Sequence, residues 1–209
     1  MLRNMATQLS FPPHGRGGAR PGAGRPRGNR VTHHGRAPVD ARHPLHVVLR
    51  ILPGIWSLRS KTLFRQIRYA FIKVTEREGF RIVHFNVQGN HIHLTVEADS
   101  TAHLSRALQS MNTRIAKRIN ARMDRRGRVF DDRFFSRSLP NPTEVANAIA
   151  YVLENSHRHD ERRGLAAYTT GEPDAFTSVT LADSDPPLVS PPKTWLLRIG
   201  WTRARRPAA

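Results

Sequence analysis

The chain has no cysteine. That excludes disulfides, thiolate metal centres and cysteine nucleophiles, and it suits a reducing, cytoplasmic setting. Acidic residues are scarce as well: 16 Asp and Glu stand against 34 Lys and Arg, a formal charge of +18. An excess of that size points to a polyanionic partner, with nucleic acid ahead of an anionic membrane or an acidic protein. Long apolar runs are missing. No stretch approaches the ~18 residues needed to span a bilayer and no apolar signal-peptide segment follows Met1, so no membrane partner is expected. What is present, at 209 residues, is enough chain for one domain with a real core, plus tails.

Residues 1–43, with "HGRGGARPGAGRPRGNR" at their centre, are rich in Gly, Pro and Arg and nearly lack large apolar side chains. Such a segment buries too little surface to offset chain entropy and is expected to be a disordered basic arm. Its "GRPR", Gly24 to Arg27, is similar to the minor-groove hook of AT-hook peptides, but the arm reads mainly as a nonspecific phosphate binder.

Order is expected from residue 44 to residue 160. "HPLHVVLRILP", His43 to Pro53, is a short β-rich run. Leu63, Ile67, Phe71 and Val74 then recur at helical spacing, between a candidate N-cap at Ser60 and a stop at Gly79. "RIVHFNVQGNHIHLTVEA" predicts two strands around a turn at Gln88 to Asn90. Leu104, Leu108, Met111, Ile115 and Ile119 form one stripe of a second helix, roughly Thr101 to Met123. "RRGRVFDDRFFSRSL" reads as a fourth extended segment, and "NPTEVANAIAYVLENSHRH" as a helix opened by Pro142, with Val145, Ile149, Val152 and Leu153 apolar. The first six elements follow the split β-α-β order of a ferredoxin-like α+β sandwich, and the last helix is an addition to it. That fold licenses no chemistry by itself. Residues 161–209 read as a loosely structured C-terminal extension with a small apolar anchor at Trp195, Leu196, Leu197 and Trp201.

Chemistry enters at "HIHLTV". Strand periodicity turns His91, His93 and Thr95 to one side and Ile92, Leu94 and Val96 to the other, so one face suits a core and the other solvent or chemistry. Two imidazoles two residues apart on a strand are a ready ligand pair, informative once a third ligand is found. The final helix offers one. Tyr151 and Asn155 are four apart and share a helix face. The asparagine amide oxygen is a reasonable hard ligand for Mg²⁺ or Mn²⁺, and the phenol lies one turn earlier. Taken singly, Tyr151 reads better as a boundary residue of an amphipathic helix, and the position of Asn155 also allows a helix-end residue near a C-cap.

At "HIH", at "GRVFDDRFFSR" before the last helix and at "YVLEN" within it, the chain resembles the single-tyrosine HUH transposases, and among them the REP-associated tyrosine transposases. The resemblance covers roughly His43 to Asp160. One departure is that Asn155 is followed by Ser-His-Arg, where many relatives read Asn-Pro-Val. The resemblance implies His91, His93 and Asn155 as metal ligands, Tyr151 as nucleophile, and Mg²⁺ or Mn²⁺ as cofactor, although imidazoles alone suit Zn²⁺ at least as well. It implies metal-dependent transesterification of single-stranded or hairpin DNA through a 5′-phosphotyrosine, by a monomer or homodimer in a prokaryotic, nucleoid-associated cytoplasmic setting.

Arg114, Lys117, Arg118, Arg122, Arg125, Arg126 and Arg128 form a dense basic stretch, read as phosphate contacts. Phe130, Phe134 and Phe135 suit either base stacking or a core. Gln88, in the turn, is a candidate DNA contact, and His84 an ordinary half-buried side chain. His157 and His159 read as solvated helix-end residues; Tyr69 and Tyr168 are poor nucleophile candidates. Two rival functions stay open: a noncatalytic nucleic-acid-binding module on the same fold, such as a domesticated transposase, and a metal phosphoesterase that uses water.

Overall fold

The computed structural model describes residues 37–75, 77–162, 174–181 and 185–204, with the backbone alone for 153–162. The chain forms β1 (Leu45–Arg50), α1 (Lys61–Thr75), β2 (Phe80–Val87), β3 (His91–Ala98), α2 (Thr101–Arg122), β4 (Phe135–Ser138), α3 (Pro142–Arg162) and the short α4 (Trp195–Arg198), closed by a 3-10 turn at Gly200–Arg203. Local chemistry sets the helix starts. Ser60 Oγ accepts from Leu63 N at 3.2 Å. Ser100 Oγ accepts from His103 N at 3.2 Å. At α3, Asn141 Oδ1 accepts from Glu144 N at 2.9 Å while its amide donates to Glu144 Oε1 at 2.7 Å, a reciprocal cap that satisfies one N–H of the first turn. Gly79 leads into β2 with φ +71°, and a Cβ there would meet the His103 ring at 2.7 Å, so only glycine fits.

The four strands make one antiparallel sheet in the order β2-β3-β1-β4, the arrangement expected of the split β-α-β order. Its two faces differ. Leu45, Val47 and Leu49 of β1 and Ile92, Leu94 and Val96 of β3 are buried on one side with Leu63, Ile67, Phe71 and Val74 of α1 and Leu104, Leu108, Met111, Ile115 and Ile119 of α2. Every residue predicted for the two helical stripes is in that core. On β2 the core residues run Phe80, Ile82, Phe85, Val87, because the register with β3 shifts between Ile82 and His84. Val83 is the extra residue: the bulge returns Phe85 and Val87 to the core side, while Val83 follows Ile82 onto the opposite side by ordinary alternation. There it packs with Leu139, with Val145, Ala148 and Ile149 of α3, and with Leu196 and Leu197 of α4, a second and smaller core.

The fourth strand is shorter than the extended segment read from the sequence. Phe130 makes one isolated bridge to Ile51 and packs on the main core, and Phe134 is buried in it, so continuous pairing starts only at Phe135. Two of the three phenylalanines are therefore core residues, and Phe135 alone is exposed. Beyond α3, residues 174–178 cover the outer edge of β2: Val87 N donates to Phe176 O and Ser178 N to Phe85 O, both at 3.0 Å. A bidentate pair from Arg59 to Asp174, at 2.7 and 2.9 Å, holds that segment in place. Of the four anchor residues expected near the C-terminus, Leu196 and Leu197 are buried, whereas Trp195 and Trp201 are exposed. Among the described residues no helix is long and apolar enough to cross a membrane.

Candidate active site and nucleic-acid interface

The polar side of β3 carries His91, His93, Thr95 and Glu97, and register sets its neighbours. Arg50 lies opposite His91, Val48 opposite His93 and His46 opposite Thr95 on one flank, with Asn86 opposite His93 on the other. The sequence-predicted pair comes together: the rings of His91 and His93 are 4.7 Å apart and nearly perpendicular. His91 Nδ1 is 2.7 Å from Asn90 Oδ1. His93, 4% exposed, has its Nδ1 3.2 Å from His46 Nε2.

Tyr151 reaches the same place from α3. Val145, Ile149 and Val152 bury one side of that helix, and the phenol projects from the adjoining side, 38% exposed. Its ring meets His93 edge-on at 5.1 Å and His46 at 5.9 Å. Four of the side chains that matter, His46, His91, His93 and Tyr151, thus form one cluster. Asn155 follows one turn later on α3, and its side chain lies outside the described residues, as do those of Leu153, His157 and His159 and all of Tyr168.

His46 was not singled out from the sequence. The signal was present: "LHVVLR" alternates, and the split β-α-β order puts its strand beside the one bearing His91 and His93. Burial, helped by the Arg137 cation, pushes the His46 pKa below the ordinary histidine value, which favours the neutral ring. His84 is lowered by burial as well. Gln88, considered as a DNA contact, is buried and donates to Asn86 Oδ1 at 2.6 Å. Among the described residues, Asn86 Nδ2 and Thr95 Oγ1 beside His93 are buried polar atoms with no hydrogen-bond partner.

Among the described residues no three His, Cys, Asp or Glu side chains are grouped to hold a metal. A cation at His91 and His93 would need a further donor, and an amide oxygen such as that of Asn155 has the chemistry for it. The histidine pair does fit a cation in one respect: each ring has Nδ1 held by a neighbour, the usual way a ligating imidazole is oriented.

The basic stretch divides. Arg114 and Lys117 line a cleft of about 520 Å³ with Arg77, Arg106, Ser110 and Thr113, on the outer side of the α1 and α2 layer. Arg118 is occupied, donating to Gln66 Oε1 at 2.8 Å and lying 4.0 Å over the Tyr69 ring. Arg125 donates to Arg128 O at 3.0 Å, and Arg128 to the carbonyls of Phe130 and Asp131, so both brace the loop before β4. Arg122 and Arg126 are exposed. A second cleft, about 560 Å³, lies by Arg42, Arg81, Glu97 and Trp195 and contains none of the His and Tyr cluster.

Compared with known proteins, residues 45–155 match the model of the family described as "Transposase IS200 like". The chain belongs to the IS200-like transposase family. The match begins at the first residue of β1 and ends at Asn155, so it spans every element that builds the cluster. A solved structure of a REP-associated tyrosine transposase bound to a REP hairpin is similar in fold, with a TM-score of 0.55 and 14% identity over 86% of this chain and 100% of that one. No curated protein sequence matches significantly.

Proposed function

We propose that this IS200-like transposase cuts and rejoins single-stranded DNA near a hairpin, with Tyr151 as nucleophile and a divalent ion held by His91, His93 and Asn155. The observation that carries the proposal is the position of Tyr151, which is open to a substrate while its ring packs against the buried His93. A structural tyrosine would bury its ring in the second core, as Val145 and Ile149 bury their side chains; this one stands at the mouth of an imidazole cluster.

When bound, Mg²⁺ or Mn²⁺ would supply Lewis-acid charge to the scissile phosphate. The chain supplies the rest. His91 and His93 donate neutral ring nitrogens from a rigid strand, and Asn155 an amide oxygen from the turn of α3 after the nucleophile. Tyr151 loses its phenolic proton and its oxygen attacks phosphorus. The bond from phosphorus to the 3′ oxygen breaks, that oxygen takes up a proton, and the 5′ phosphate stays on the tyrosine. Attack by another 3′-hydroxyl reverses the step and joins a new end. Arg114, Lys117, Arg122 and Arg126, with the arm of residues 1–43, contact phosphates; Arg118, Arg125 and Arg128 contribute less, since part of their donor capacity is used within the fold. The proposed setting is the prokaryotic cytoplasm, on nucleoid DNA.

The test is incubation of the protein and its Tyr151→Phe variant with Mn²⁺ and labelled, hairpin-bearing single strands, read on denaturing protein gels. The expected result is a labelled adduct of protein size that disappears in the variant and with chelator. Cleavage without an adduct would replace the tyrosine by water. DNA retained but uncut by both proteins would support the noncatalytic binding module instead.

A further inference from the structure

We infer that His46 is a positioning residue for the divalent ion, fixing the ring of His93 through its Nδ1 so that His93 presents Nε2 as the ligating nitrogen. This rests on the metal-site reading above and adds to it a residue from the neighbouring strand β1.

Tautomers decide which nitrogen is open to a cation. Asn90 Oδ1 can only accept, so the 2.7 Å contact puts the proton of a neutral His91 on Nδ1 and the lone pair on Nε2. For His93 the contact is with another imidazole, and the 3.2 Å between His93 Nδ1 and His46 Nε2 holds one shared proton. If His46 carried that proton, a neutral His93 would be protonated on Nε2 and useless as a ligand. If His93 carries it, Nε2 has the lone pair and His46 acts as acceptor, with its own proton on Nδ1. Metal binding selects the second arrangement. Both histidines then follow one rule: Nδ1 donates to a fixed acceptor and Nε2 addresses the cation.

The acceptor is well anchored. His46 stands in β1, paired with Thr95 of β3 on one side and Arg137 of β4 on the other, so its backbone is held from both flanks. Its ring is tilted only 15° from that of His93 at a centroid distance of 5.4 Å, which suits a nitrogen-to-nitrogen hydrogen bond. His46 is not itself the missing ligand, because its Nε2 is engaged by His93 and the three histidines do not form a metal-holding group. The same ring also borders Tyr151. A change at His46 therefore reaches the metal through His93 and the nucleophile by direct contact.

The deciding experiment measures Mn²⁺ alone binding to the full chain, without DNA, by electron paramagnetic resonance of the free ion. The proteins are wild type, His93→Ala, His46→Leu, which removes the acceptor, and His46→Gln, whose amide oxygen can accept at nearly the same reach. Thermal melts of the metal-free proteins accompany it. The expected result is affinity about 10- to 100-fold weaker in His46→Leu and restored to within a few-fold of wild type in His46→Gln. Unchanged affinity in His46→Leu would overturn the inference. So would equal weakening in both variants, since that pattern reports packing and not an acceptor. If wild type binds no Mn²⁺, or His93→Ala binds it as well as wild type, the metal-site reading fails and this inference falls with it.

Discussion

On the side of the sheet covered by α1 and α2, β3 presents Ile92, Leu94 and Val96, all fully buried; on the side under α3 the same strand presents His91, His93, Thr95 and Glu97. The first side stabilises through apolar area removed from water, at roughly 25 cal/mol per Å². On the second side apolar packing comes from Val83, Leu139, α3 and α4, while β3 itself gains little that way, because each polar group it takes from water must find a partner. Glu97, 2% exposed, finds two: the N–H groups of Lys193 and Thr194 bring the segment before α4 onto its carboxylate at 2.7 to 3.1 Å. His93 finds His46. The difference shows how one strand serves both purposes: the apolar side supplies the stability that lets the other side hold polar groups in a fixed arrangement.

Opposite faces of β3 offer the sharpest way to break that comparison. Leu94→Ala is expected to cost about 2–5 kcal/mol of stability. On the polar face, His91→Ala is expected to cost no more than about 0.5 kcal/mol while abolishing Mn²⁺ binding and the covalent adduct. Urea unfolding beside the adduct assay checks both, and a large drop in stability in His91→Ala would erase the division between the faces. Next in size is Glu97→Ala, which strands two backbone donors and is expected to cost about 1–3 kcal/mol. Hydrogen exchange should then accelerate at Lys193 and Thr194 first; protection there unchanged would show that α4 is held by its leucines alone.

The outer side of the α1 and α2 layer gives a third prediction. Arg106→Glu with Lys117→Glu should weaken binding of single-stranded DNA and lower the slope of log affinity against log salt by about 1 for each phosphate the variant no longer neutralises. An unchanged slope would confine DNA to the α3 side. The smallest effect is expected at His84. Its folded pKa lies below the ordinary 6.5, so below that pH the unfolded chain takes up the proton first and stability falls as pH drops. Melts between about pH 7.5 and about pH 5.5 should show a shallower acid decline in His84→Gln than in wild type. Equal slopes would mean that burial of this imidazole contributes nothing to acid sensitivity.

What the sequence determined by itself is what depends on short chain distances. Period two in "HIHLTV" placed His91 and His93 on one face, helical spacing marked the two core stripes, and Tyr151 and Asn155 fell one turn apart because 3.6 residues make a turn. Backbone geometry imposes those relations wherever the elements lie. Tertiary structure decided the rest. His46 became His93's partner only because β1 lies beside β3, across 47 residues of sequence. The bulge at Val83 set which β2 residues face α3, the core captured Phe130 and Phe134 and so shortened β4, and folded contacts took up Arg118, Arg125 and Arg128 from a run that reads as uniformly basic. Strand neighbours and side-chain partners are selected by the free energy of the whole packed arrangement, and no local period encodes them.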